Sequence, residues 1–180
     1  MGGPDMLIKA MRALAMTAAG AWLGGLTLIA VVAQSTFVTM RTTGVARPDA
    51  ISGQVMAPTF VRFEWMQGIF AGTILLWASS RLFSASRTRR DLVRMGMIVA
   101  AAGLLGYASQ VLTPKIVQLQ PLLRSQTPEG EIKKQFDEFH SASVQSSMIL
   151  IVLVLALCLE MAWPRCEVNA IGLRQNGQTQ

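Results

Sequence analysis

Four long stretches almost free of charge organise this chain: residues 13–40, 63–80, 95–114 and 141–159. A helix rises 1.5 Å per residue, so a hydrocarbon core of ~30 Å takes roughly 20 residues. All four windows meet that length; the second is the least apolar, with Glu64 at its edge. A soluble helix would carry a charge on one face every third or fourth residue. Here the charges stand between the windows, and lipid is the matching solvent.

The expectation is an all-α integral membrane protein with four transmembrane helices in an antiparallel bundle, at about 13–38, 63–81, 94–114 and 128–163. They form one domain, 1–163, and a polar tail fills 164–180. Pro48 and Asp49 can start a short amphipathic segment outside the bilayer, which Pro58 should kink or end. Pro121 should interrupt the stretch after the third helix. Thr127, Pro128 and Glu129 read as a helix start: an N-cap, a first-turn proline and an anion at the positive end of the dipole. The pairs Glu129–Lys133, Lys133–Asp137 and Lys134–Glu138 extend the last helix into water.

The net charge of +6 does not point to nucleic acid, because the basic residues gather at membrane ends instead of on one recognition face. Five arginines in the linker 81–94 sit tight against two helix ends, which places that linker and both termini in the cytoplasm. The expected location is a bacterial cytoplasmic (inner) membrane. The first apolar run is too long for a usual signal peptide, so the reading keeps it as a crossing. Cys158 and Cys166 lie at the reducing side and show no zinc spacing, which leaves no disulfide or metal motif there.

Gly20 and Gly24, then Gly68 and Gly72, have the four-residue spacing that lets helix backbones approach closely in lipid, and Gly103 and Gly106 form a looser version. These faces suit packing within the bundle, with a homodimer or larger membrane complex as the other use. The expected partners are the bilayer and such a complex, not nucleic acid. His140 is the single histidine, at the outer end of the last helix, with Ser143 and Ser147 on its face. With Arg62, Glu64 and Gln110 it forms the expected outer polar cluster, as a tie across the bundle mouth or as the lining of a small-ligand cavity. No catalytic motif and no cofactor motif is present, and one histidine among eleven methionines leaves metal binding open.

Several stretches resemble one family in their order. They are the Gly24-Gly25 helix followed by Val32-Ala33-Gln34-Ser35-Thr36-Phe37, the segment 50–60, Pro114-Lys115-Ile116, and Phe136-Asp137-Glu138-Phe139-His140-Ser141-Ala142-Ser143. Together, over about 20–163, they look like the transmembrane protein 205-like family, also called domain of unknown function 4149. Phe139 stands where that family usually has Leu, and Ser147 where it often has Asn. The resemblance implies a four-helix integral membrane protein of little-known activity, and an association of some members with tolerance of metal-containing drugs. The expected function is therefore a non-enzymatic accessory or tolerance-type membrane protein. A transporter or channel component is the alternative, and a metal- or heme-linked membrane oxidoreductase a second one.

Overall fold

A computed structural model describes residues 3–44, 48–82, 88–125 and 130–162, and among these every regular element is helical. In chain order they are α1 (Gly3–Thr42), α2 (Pro48–Leu82), α3 (Arg89–Tyr107), a π-helical turn (Ala108–Leu112), α4 (Thr113–Ser125) and α5 (Glu131–Ala162). Three helical runs are long and apolar enough to cross a membrane: Met6–Thr42, Arg89–Leu123 and Glu131–Ala162. α2 has the length but, with Arg62, Glu64 and Gln67, it is not among those three.

Side-chain contacts give the direction of each helix. Along α1 and α2, Trp22 meets Gln67, Gly25 meets Phe63 and Thr36 meets Met56, so positions rise on one helix as they fall on the other. α3–α4 and α5 run the same way, with Arg94 against Glu160 and Lys115 over Phe139. α1 packs on α2 and α5, and α3 packs on the same two, which closes an antiparallel ring of four.

The core follows from helical periodicity. Ala15, Ala18, Ala19, Trp22 and Leu26 face inward from α1, and Ala71, Ile74, Trp77 and Ala78 from α2. α3 adds Ile98, Ala101 and Leu105; α5 adds Leu150, Val154, Leu157 and Met161. Steps of three and four residues keep each set on one stripe. The opposite faces expose large apolar side chains, among them Leu14, Leu28, Trp65, Ile69, Leu76, Val99, Met148 and Val152. Water would penalise that arrangement, whereas hydrocarbon matches it.

Several boundaries depart from the sequence reading. α1 starts ten residues before the expected position 13 and ends at Thr42. The amphipathic segment is not separate: α2 runs through Pro58 without a break. The carbonyl that Pro58 leaves without a helical partner belongs to Gln54, an exposed residue. The helix expected to end at Pro114 does not stop there; it passes through the π-helical turn into α4, which also contains Pro121. Pro114 cannot donate to Gln110 and its ring crowds that carbonyl, so the wider turn directly before it absorbs the misfit. The expected cap at 127–129, the Glu129–Lys133 pair, Cys166 and the tail 164–180 lie outside the described residues. Lys133, Lys134, Asp137 and Glu138 are exposed, and among the described residues neither expected pair is within ion-pair distance.

The glycine spacings are placed differently from the packing expectation. Gly20, Gly24, Gly68 and Gly103 are exposed, Gly72 and Gly106 half-buried, and a Cβ on any of the six would meet nothing within 4 Å. They lie off the stripes that alanine, tryptophan and leucine use. Close approach occurs instead at Gly25, where a Cβ would stand 2.7 Å from Cε2 of Phe63, and at Gly53 beside the Gln120 side chain.

Candidate functional site

Polar side chains gather at three levels of the bundle. The level that the positive-inside rule would make the inner one begins with the start of α3. Thr88 caps that helix: its backbone N–H and hydroxyl both donate to Asp91 Oδ2, at 2.9 and 2.8 Å, and Asp91 N–H donates back to Thr88 Oγ1. This reciprocal box fixes Asp91 at the N-terminus, where its charge offsets the helix dipole.

Asp91 and Arg94 are the first members of the buried stripe of α3, with side chains only 2% and 5% exposed. Arg94 Nη1 lies 3.4 Å from Asp91 Oδ1, and Nη2 donates to both the Glu160 carboxylate at 3.2 Å and the Glu160 backbone oxygen at 2.9 Å. From α1, Arg12 donates to the Met161 carbonyl at 3.4 Å. Two arginines thus serve the last carbonyls of α5, the negative end of its dipole. The network ties α1, α3 and α5 at one end of the bundle.

The middle level is one bond. Trp22 Nε1 donates to Gln67 Oε1 at 3.0 Å, with both residues buried between α1 and α2. In hydrocarbon such a pair answers two polar groups that would otherwise be left without partners.

The outer level carries the residues singled out from the sequence, and it does not bring them together. Glu64 is half-buried and accepts a hydrogen bond from the Thr113 hydroxyl at 2.5 Å. Arg62 and Gln110 are exposed, and neither bonds to Glu64 or His140. His140 is exposed as well, its ring stacked on Phe136 at 5.8 Å between centroids and 5° between planes. Above Ser146 the inward face of α5 continues through the half-buried Ser143, Ala142 and Phe139, and His140, at the edge of that face, is exposed. Ser147 donates to the Ser143 carbonyl one turn earlier, so its hydroxyl serves its own helix. Lys115 holds its ammonium 4.6 Å above the Phe139 ring. The expected cluster is therefore replaced by Glu64–Thr113 on α2 and α4 and, apart from it, the stacked His140 on α5.

Sequence reasoning missed the inner network. Its signals were present: Thr88 and Asp91 have capping-box spacing, and Glu160 is the lone acid at the end of a long apolar run. The sequence reading uses the linker arginines for orientation alone. Thr113 was missed because a hydroxyl beside Pro114 looks like a helix stop. Among the described residues no group of three or more His, Cys, Asp or Glu side chains is placed to hold a metal ion, and Cys158 is a free, half-buried thiol.

Residues 17–124 match the family model described as "Domain of unknown function (DUF4149)", and the chain belongs to that family. The match begins within α1, runs to the end region of α4 and stops before the 136–143 run that carries part of the resemblance. No curated protein and no solved structure matches the chain.

Proposed function

We propose that this chain is a non-enzymatic, four-crossing membrane protein that acts as an accessory subunit of a larger membrane assembly. The outward placement of its glycines carries the reading. Gly20 and Gly24 on α1 and Gly68 on α2 leave flat, small-residue faces open to neighbours, while the bundle packs through other stripes. Backbone approach at such faces drives helix association in lipid.

Support for α2 as the fourth crossing comes from its partners. It shares the core with α1 and α3, and Gln67, which lowers its apolarity, is satisfied inside by Trp22. The arginine-rich inner ends favour cytoplasmic termini and a bacterial inner membrane as the setting. The narrower transmembrane protein 205-like assignment stays at the level of resemblance, and a tolerance role rests on that resemblance alone. The axis is filled by Trp22, Ile74, Ile98, Val154 and Leu157, which argues against a transport path through a single copy. Among the described residues the donor placement lends no support to metal or heme chemistry.

The test is the size of the particle released from native membranes by mild detergent, compared with Gly24→Leu and Gly68→Leu. The reading expects an assembly larger than one chain that both variants break, with no change in the melting of the single chain. A wild-type protein that leaves the membrane as a lone monomer, with nothing cross-linked to it, removes the proposal.

A further inference from the structure

Glu64 is an acid placed where acids are costly. At 1.5 Å per residue it lies about 26 Å along α2 from Arg81, near the outer edge of a ~30 Å hydrocarbon core. Thr113, by the same measure, lies about 28 Å from Arg94, at the same depth on the neighbouring helix. The carboxylate is half-buried between them and bonded to the Thr113 hydroxyl. Among the described residues no cation stands within ion-pair distance of it.

The charged and titratable groups around it are few. Arg62, on its own helix, is exposed and two residues away, the wrong side for contact. α1 has no ionisable residue from 13 to 40. α3 and the π-helical turn have only the exposed Tyr107 from 95 to 112. α4 offers Lys115, which is drawn to Phe139 on α5.

The backbone is also adapted to this contact. Thr113 closes the π-helical turn, its N–H bonding to the Ala108 carbonyl five residues back. Without that extra residue the helix beyond it would be rotated by about 100°, turning Thr113 away from α2. Single π turns within helices recur at functional sites.

We infer that Glu64 and Thr113 form a proton-binding site at the outer membrane boundary, in which the Glu64 carboxyl gains and loses a proton while the Thr113 hydroxyl remains its partner. A hydroxyl can donate to the carboxylate, and can donate to or accept from the neutral acid, so the pair survives both states. An ionisable group at this depth, answered by a neutral donor alone, exchanges its charge with its surroundings more readily than a salt bridge can. The inference is independent of the accessory-subunit reading.

The experiment uses the full chain in phospholipid vesicles and dicyclohexylcarbodiimide, an apolar probe. A protonated carboxyl adds across one C=N bond of the reagent: its oxygen bonds to the central carbon, its proton passes to nitrogen, and nothing leaves. Peptide mass spectrometry then reads the adduct at each pH. The site predicts an adduct on Glu64 that falls about tenfold per pH unit above the midpoint of its titration. Exposed Asp137 and Glu138 should take the label only from a water-soluble carbodiimide. Glu64→Gln should abolish the apolar label. Thr113→Val should raise labelling at a given pH, because the lost donor favoured the carboxylate. Thr113→Ser keeps the hydroxyl and should label like the wild type. No Glu64 adduct at any pH, or an adduct that does not vary with pH, overturns the inference and leaves the pair a helix tie. Equal labelling of Thr113→Val and wild type removes Thr113 from the site.

Discussion

Trp22 on α1 donates its indole N–H to the side-chain oxygen of Gln67 on α2, 3.0 Å away and shut inside the core. That bond accounts for an oddity of α2. Its polar residues depress its hydropathy, yet Gln67 never meets lipid, because the indole supplies a donor where the helices are in contact. A composition average treats Gln67 as if it faced hydrocarbon; the fold turns it to a partner.

Breaking the pair from either side should weaken the bundle. Trp22→Phe leaves the Gln67 oxygen without its donor, and Gln67→Leu strands the indole N–H. Interhelical hydrogen bonds in membranes average ~0.6 kcal/mol and orphaned buried groups cost ~1–3, so a loss of about 1–2 kcal/mol is expected for each. The double variant should lose less than the sum, which reversible unfolding in mixed detergent micelles can measure.

If α2 crosses the bilayer, Thr43 and Glu138 lie on one side and Arg89 on the other. Thr43→Cys, Arg89→Cys and Glu138→Cys, each exposed and each made with Cys158 and Cys166 replaced by Ser, read this directly. A membrane-impermeant maleimide added outside should label the first and third only. Three crossings would instead put Thr43 and Arg89 together and Glu138 opposite, a pattern that cannot be confused with the expected one.

The arginines of the inner rim should differ sharply in weight. Arg94, 5% exposed, holds Asp91 and both the carboxylate and the backbone oxygen of Glu160, whereas Arg90 is 54% exposed and stands 3.9 Å from the same carboxylate. Arg94→Ala should destabilise the protein by about 3–5 kcal/mol, since it leaves buried acceptors uncompensated. Arg90→Ala should cost under about 1 kcal/mol, as exposed pairs do. Arg94→Lys should recover little of the loss, because one ammonium cannot reproduce a planar fork spread over two nitrogens. Thermal unfolding in detergent compares the three.

The long apolar helices were legible in the sequence because charge-free runs of membrane length have few other uses. What each helix turns inward was less legible. A stripe is set by phase, and phase shifts by about 100° with each residue, so Gly24 and Gly25, adjacent in sequence, have opposite roles. His140 drew attention by its rarity, but the stripe through Phe139 and Ser143 passes beside it. Pro58, Pro114 and Pro121 looked like stops; helices packed along their length carried through all three. The inner network was hidden because Arg94 and Glu160 are far apart in sequence and only folding brings them to 3.2 Å.

That difference of phase between Gly24 and Gly25 gives the sharpest test of the α1–α2 seam. At Gly25 a Cβ would stand 2.7 Å from Phe63 Cε2 and 2.9 Å from Cζ, too close for a carbon, and the ring must swing away to admit it. At Gly24 the same atom meets nothing within 4 Å. Gly25→Ala should therefore cost about 1–3 kcal/mol, the usual penalty for a methyl forced into a packed contact. Gly24→Ala should be neutral or stabilising by up to ~1 kcal/mol, because alanine is the better helix former and no clash opposes it. Phe63→Leu, placed on the Gly25→Ala background, gives the methyl room and should return part of the loss. Unfolding midpoints for the two alanine variants in the same detergent decide the matter: equal effects would mean that α1 is rotated about its axis from the position described, and a larger loss at Gly24 would reverse the assignment of its inward face.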